Sequence, residues 1–430
     1  MKLTLLFYLL CLLLVSCSGN NSRKEAREHL ISKQLQTLLD KGEYFKLESD
    51  LSFYKDSVDA DDELYFQAFV NNSFNRNQEA MHDIDTLLKN AITSDSIKSK
   101  LYMLLSDCYF KTFQYSKAAH NDSVLIKRFY QFMDSSKVAD IKNDLIRYDA
   151  LKDIPPQKTE IHGNTIIKWV KDRIGLIEIP VKCKDQMYHG IFDTRANISS
   201  ISKTYADKLG LKMLNVSYDE GSGITGIQFK TGLGIADSLY IGNILVRNAV
   251  FQVMPDSILY LAPIKFAINM IIGFPIIEQL KEIHIFKNGQ MLIPKYQTKS
   301  ALHNLALDQL DPVISLKTDE DSLCFYLDTG AGNSVLYASY FNKYQSKIIE
   351  HLHKKIIQFG GAGGVKKKET YVLDSLQLWL DNKKVTLDSV DILSQKIYPG
   401  EKFYGNLGQD FTSRFNEFVL NFGYMYVEDK

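Results

Sequence analysis

Residues 325 to 335, Phe325-Tyr326-Leu327-Asp328-Thr329-Gly330-Ala331-Gly332-Asn333-Ser334-Val335, read as an apolar strand that delivers Asp328 into a tight turn. Backbone N–H groups and the Thr329 hydroxyl can hold the carboxylate there in one orientation. A carboxylate so held suits proton transfer. The pattern occurs a second time upstream. Gly190-Ile191-Phe192-Asp193-Thr194-Arg195-Ala196-Asn197-Ile198-Ser199 keeps the strand, the aspartate, the threonine and the alanine, with Arg195 where Gly330 stands.

The two stretches belong to a longer repeat. Asp193 is followed 80 residues later by Gly273 of Ile271-Ile272-Gly273, and Asp328 by Gly408 of Asn406-Leu407-Gly408 at the same distance. Between these landmarks lie glycine-rich turns, Gly221-Ser222-Gly223 and Gly360-Gly361-Ala362-Gly363-Gly364, and strands opened by Asp237-Ser238-Leu239 and Asp374-Ser375-Leu376. Four landmarks in one order, twice, are an internal duplication. Each half also opens with a hairpin: Ile177 to Val181 returning through Tyr188 to Phe192, and Val313 to Leu316 returning through Leu323 to Leu327. Alternating apolar residues and charged turns support both. A short amphipathic stretch follows each aspartate, Ser202 to Leu209 and Ala338 to Ile348, and predicts one short helix per half.

Over residues 165 to 430 the chain resembles the aspartic peptidase superfamily, in the form where two retropepsin-like halves are fused as in pepsin. The resemblance rests on Asp-Thr-Gly-Ala at 328–331, the glycine-rich flaps, and the hydrophobic-hydrophobic-Gly turn leading into 411–422. It implies that Asp193 and Asp328 form a catalytic pair and that Thr194 and Thr329 brace their turns. Gly330 and the N–H of Arg195 would donate to the carboxylates. Gly221, Gly223, Gly226, Gly361, Gly363 and Gly364 would form flaps over a peptide or unfolded-protein substrate. Two carboxylates held close together share one proton, so the ionised member can activate water while the other donates to the scissile carbonyl. Such chemistry implies no metal or organic cofactor. Arg195 leaves two expectations open. Turned inward, its guanidinium would favour two ionised carboxylates and yield a peptide-binding pseudopeptidase. Turned outward, it would select acidic substrates.

Other motifs carry less. Gly221 to Gly226 spells the dinucleotide-binding pattern, but a polar run precedes it and a strand-like stretch follows, which fits a hairpin tip instead. His351 and His353 could face one side of a strand towards a metal, yet no third ligand completes a site, and a solvated surface is the better reading. Lys366-Lys367-Lys368 reads as a solvated loop. Trp169 and Trp379 fit core or interface positions.

Upstream, Leu3 to Val15 is an apolar run of 13 residues, short for a bilayer span and suited to a secretory signal. Leu14-Val15-Ser16-Cys17 resembles a bacterial lipobox, which implies removal of residues 1–16 and lipidation of Cys17. The expected location is the bacterial cell envelope, outside the cytoplasm, lipid-anchored at the outer membrane. Of five cysteines, Cys108, Cys183 and Cys324 remain, an odd number in apolar contexts that predicts no disulfide framework. Fifty-one basic against 51 acidic side chains argue against a nucleic-acid surface. Residues 17–150 are poor in Gly and Pro, with helical apolar spacing. Gly42 to Leu47, Asn77 to Ala80 and Phe113 to Ala118 recur at a spacing similar to that of tetratricopeptide repeats, and such a domain could recruit a protein partner. Pro155-Pro156 ends the helical pattern and predicts an extended linker over 151–164. The expected fold is multidomain α plus all-β: a helical, tetratricopeptide-like domain, then acid-protease-like lobes at 165–299 and 300–430.

Overall fold

The computed structural model of the chain describes residues 24–89, 93–221, 226–361, 363–398 and 400–430. The signal segment and Cys17 lie outside these residues, as do Gly223 and its neighbours at 222, 224 and 225. The architecture is a helical domain followed by an all-β region of two lobes.

Among the described residues, seven α-helices make the first domain: α1 (24–41), α2 (Tyr44–Tyr54), α3 (Ala60–Ser73), α4 (Asn77–Lys89), α5 (Asp95–Lys111), α6 (Tyr115–Arg128) and α7 (Ser135–Leu151). Side-chain caps start several of them: Asp59 accepts from the Asp61 N–H at 2.9 Å, and Asp134 from Lys137 at 2.8 Å. The three repeated sequence points open the second helix of three successive hairpins, at Tyr44, Asn77 and Tyr115. Asn75 (φ 60°) and Phe113 (φ 57°) turn the last two hairpins in the left-handed region. Leu35, Leu47, Ala80, Ile84, Leu101 and Ala118, at helical spacing, close the core between neighbouring helices.

The two lobes repeat one set of strand relations. In lobe 1, Ile177–Cys183 and Gln186–Phe192 form the predicted hairpin, turned at Lys184 (φ 54°). The end of Gln186–Phe192 then runs parallel to Met270–Ile272, which lies antiparallel to Ser199–Ser202, itself parallel to Ile244–Met254. Lobe 2 copies this with Asp311–Lys317, Ser322–Leu327, Gly405–Leu407, Val335–Leu336 and Lys383–Ile392. The duplication in sequence is therefore a duplication in strand pairing. A third, five-stranded sheet joins the lobes through Glu282–Phe286 against Glu417–Asn421, with Ile283 opposite Leu420.

Some expectations are corrected. Within the extended linker, Lys158–Glu160 adds an antiparallel edge strand to Ile244–Met254 and Gln157 Nε2 donates to Pro275 O at 2.8 Å, two contacts the sequence did not predict. The single helix expected after Asp328 is two, Ala338–Lys343 and Gln345–His351, broken at Tyr344. His351 thus ends a helix and shares no strand face with His353. Lys366 to Lys368 lie within the strand Gly364–Leu380, not in a loop. The lobe 1 helix forms as expected: Lys203–Leu209 is capped by Ser202 and stopped by Gly210 at φ 66°. Cys108, Cys183 and Cys324 are buried and unpaired. No helix among the described residues is long and apolar enough to cross a membrane.

Candidate functional site

Parallel pairing brings both aspartates to the same place between the lobes. The Asp193 N–H donates to Ile272 O at 3.0 Å and the Asp328 N–H to Leu407 O at 2.9 Å. Behind each turn sits the predicted glycine. A Cβ on Gly273 would stand 2.5 Å from Ala196 O, and one on Gly408 2.7 Å from Ala331 O, so neither position tolerates a side chain. Ser199 and Ser334 hydroxyls accept from the Gly273 and Gly408 N–H groups, each at 3.0 Å.

The threonines lock the two turns face to face. Thr194 Oγ1 donates to Leu327 O and Thr329 Oγ1 to Phe192 O, both at 2.7 Å. Each hydroxyl in turn accepts the other threonine's N–H at 3.1 Å. Both threonines are fully buried, so every hydroxyl is both donor and acceptor away from water.

Gly330 is the floor on which the carboxyls meet. Its N–H donates to Asp328 Oδ1 at 2.9 Å, while a Cβ on it would stand 2.2 Å from the Asp193 carboxyl carbon. Asp193 Oδ1 accepts two backbone N–H groups, from Arg195 at 2.8 Å and Ala196 at 3.1 Å. Burial and then the neighbouring Asp328 carboxylate push Asp193 up to about 7, against the pull of those N–H groups and of the Arg195 charge.

Arg195 turns inward, but not onto the carboxyls themselves. The side chain leaves lobe 1 and enters a pocket of lobe 2. Its Nε and Nη2 donate to the two Asp311 oxygens at 3.2 and 3.3 Å, Nη1 donates to Asn406 Oδ1 at 3.0 Å, and Cζ lies 4.0 Å from the Tyr326 ring centre. Burial pushes Asp311 up while the guanidinium pulls it down. With two hydrogen bonds from an always-charged group, the pair stays ionised. Asn406 Nδ2 donates to Asp328 Oδ2 at 3.0 Å. The guanidinium therefore reaches the second aspartate through one amide.

Comparison with protein-family models and with curated proteins finds no match to this chain.

The glycines expected as flaps divide. Gly221 ends the strand Tyr218–Gly221, paired with the start of Gln228–Ile241, and Gly226 turns at φ 66°. In lobe 2, Gly361 pairs with Gly364 at the tip of a second hairpin, with Gly363 at φ 83° and Gly364 at φ 126°. The Gly363 N–H donates to Ile258 O of lobe 1 at 2.8 Å, so this tip docks on the opposite lobe. The helical domain also reaches the site. Tyr44 donates to Asp308 Oδ1 at 2.5 Å, and Asn75 Nδ2 to Glu278 Oε1 at 2.9 Å. Between the domains lies a cavity of about 930 Å³ lined by Tyr65, Phe110 and Tyr148 of the helices and by Asp193, Phe229 and Met254 of lobe 1.

Sequence reasoning missed Asp311, Asn406 and Tyr326. A signal existed: the matching strand pairings make them the counterparts of Leu176, Ile271 and Ile191 of lobe 1, so three apolar positions change character in the half that faces Arg195. The covering of the site by the helical domain has no such local signal.

Asp193 makes stability depend on pH. A carboxyl raised from 3.8 to about 7 stabilises the fold while protonated, fully below about pH 4, and this contribution is lost as pH rises to about 7. Asp193→Asn should remove that slope. Denaturant unfolding of both proteins between pH 4 and 8 should show the variant gaining on the parent by on the order of 3 kcal/mol across the interval.

Proposed function

We propose that the chain is an aspartic endopeptidase that hydrolyses peptide bonds with a water activated between Asp193 and Asp328. One observation carries the reading: two Asp-Thr turns from duplicated lobes are clasped by reciprocal threonine hydrogen bonds, with both carboxyls against Gly330. The mechanism follows from one proton on two close carboxyls. The ionised member takes a proton from water as it attacks the carbonyl carbon; the protonated member gives its proton to the carbonyl oxygen. The resulting tetrahedral species collapses when the nitrogen is protonated and the C–N bond breaks, and no covalent link to the protein forms. The hairpins ending at Gly221 and Gly361 give a main chain that can hydrogen-bond an extended peptide. A cavity walled by the helical domain favours peptides and unfolded segments over folded surfaces, and makes the helical domain a contributor to substrate contact.

The second reading, a peptide-binding pseudopeptidase, is favoured by Arg195 in place of the motif glycine. It weakens because Asp311 balances the cation and the Arg195 N–H still donates to Asp193. Incubating the purified chain with a mixed peptide library from pH 3 to 8 separates the two. Cleavage with a bell-shaped pH dependence supports the first; binding without turnover by folded protein supports the second.

The envelope address belongs to the same proposal and rests on Leu14-Val15-Ser16-Cys17. In bacteria fed labelled palmitate, the chain should take up label and sediment with membranes. Cys17→Ala should abolish the label and release the protein; label retained in the variant would refute the lipid anchor.

A further inference from the structure

The pocket that holds Arg195 has a counterpart in lobe 1, and the two differ in kind. There, Leu176, Ile191 and Ile271 belong to one apolar cluster with Met254, Leu259 and Ile268, and Gly330 sends no side chain towards it. In lobe 2 the equivalent positions are Asp311, Tyr326 and Asn406, all engaged with Arg195. One half thus gains an arginine where the other gains its matching anion, amide and aromatic face. A lost glycine would leave the lobe 2 pocket apolar; a built cation site would look like this one.

The consequence for the two aspartates follows from donors and acceptors. A guanidinium only donates, so Arg195 Nη1 can meet only the oxygen of the Asn406 amide. That orientation points Nδ2 at Asp328 Oδ2. Both Asp328 oxygens then receive an N–H, from Gly330 and from Asn406. Asp193 is held differently: both of its N–H donors meet Oδ1, and among the described residues no donor reaches Oδ2. Donors to an oxygen favour the carboxylate and compete with a proton there. We propose that Arg195, acting through Asn406, is a positioning residue that keeps Asp328 ionised and places the shared proton on Asp193 Oδ2. This deepens the peptidase reading and rests on it for its catalytic meaning: Asp328 is the base towards water and Asp193 the acid towards the carbonyl oxygen. The other charged or titratable groups around the two carboxyls are Asp311 on the facing strand, Tyr337 before the helix Ala338–Lys343, and Tyr398, with Asp308 and Lys402 paired farther out.

The test reads the carboxyls directly, without turnover. In the full chain in detergent, labelled at the aspartate side-chain carbon, carbon NMR follows each carboxyl with pH, and Asp193→Asn and Asp328→Asn assign the two signals. Asp328 should ionise first, leaving the proton on Asp193. Asn406→Ile, which restores the lobe 1 residue, should move the shared proton towards Asp328, changing the ratio of the two protonation states by about tenfold, the scale of one lost hydrogen bond to a carboxylate. Asn406→Asp keeps an acceptor for Arg195 and removes the N–H, and should shift Asp328 in the same direction if the isoleucine variant fails to fold. The acidic limb of kcat/KM against pH should move upward with it. A proton resident on Asp328 in the parent chain, or an Asp328 titration unmoved in folded Asn406 variants, overturns the proposal. Absence of cleavage by every version refutes the peptidase reading alone, since the NMR titration still locates the proton.

Discussion

Asp328→Asn should lower kcat/KM for any peptide the chain cleaves by at least about 10³-fold while leaving the protein folded. The geometry explains both halves of that expectation. An amide at 328 can still accept from the Gly330 N–H, so the turn keeps its hydrogen bond, and the threonine clasp does not involve the 328 side chain. What disappears is the carboxylate that, in the proposed mechanism, takes a proton from water beside Asp193. Removing the Asp328 charge also removes the second-largest influence that holds Asp193 up, so Asp193 should titrate lower in the variant. Peptide cleavage by mass spectrometry, run beside thermal unfolding of both proteins, reads the outcome. Cleavage by the variant at more than a tenth of the parent rate would show that the two carboxyls do not act as a pair.

The repeat made much of this site legible. An aspartate at the end of an inner strand, a threonine after it and a glycine 80 residues on each encode a local constraint: a turn, a hydroxyl cap, a contact with no room for a Cβ. Local constraints survive in sequence because each needs a particular residue type. Arg195 shows the limit. Its type announces a cation, but its partners come from the opposite lobe, more than 100 residues on. Only the matched strand pairings of the two lobes make Asp311 the counterpart of Leu176 and Asn406 that of Ile271. Lys158–Glu160 was hidden for a related reason. Three residues after a proline pair have no periodicity to read, and a neighbouring edge, Ile244–Met254, makes them a strand. The seating of the helical domain on the lobes depends on which amphipathic faces meet, and contacts such as Tyr44 to Asp308 join positions that share no local pattern.

Arg195→Met is the substitution expected to cost most in stability. It leaves Asp311 as a half-buried carboxylate with no cation and Asn406 without its donor; removing one member of a fully buried ion pair costs about 3–5 kcal/mol, and with the two side chains still 18% and 19% exposed the loss should fall below that range. The loss should depend on pH in a definite direction. Burial already raises Asp311, and with the guanidinium gone the Asp308 and Asp328 charges push the same way, so its folded value rises further above the unfolded one. A carboxyl raised on folding gives stability that is lost as pH rises. Arg195→Met should therefore be milder at pH 5 than at pH 8, because a raised carboxyl takes up its proton more readily at the lower pH. Adding Asp311→Leu, the residue lobe 1 uses, removes the stranded charge and should return more of the loss at pH 8 than at pH 5. Denaturant unfolding of the two variants and the parent at both pH values measures this. A single variant as stable as the parent at pH 8 would show that the Arg195 pair does not hold the lobes together. Rescue by Asp311→Leu would instead tie the cost to the unpaired carboxylate, since leucine restores neither the hydrogen bonds to Arg195 nor its contact with Tyr326.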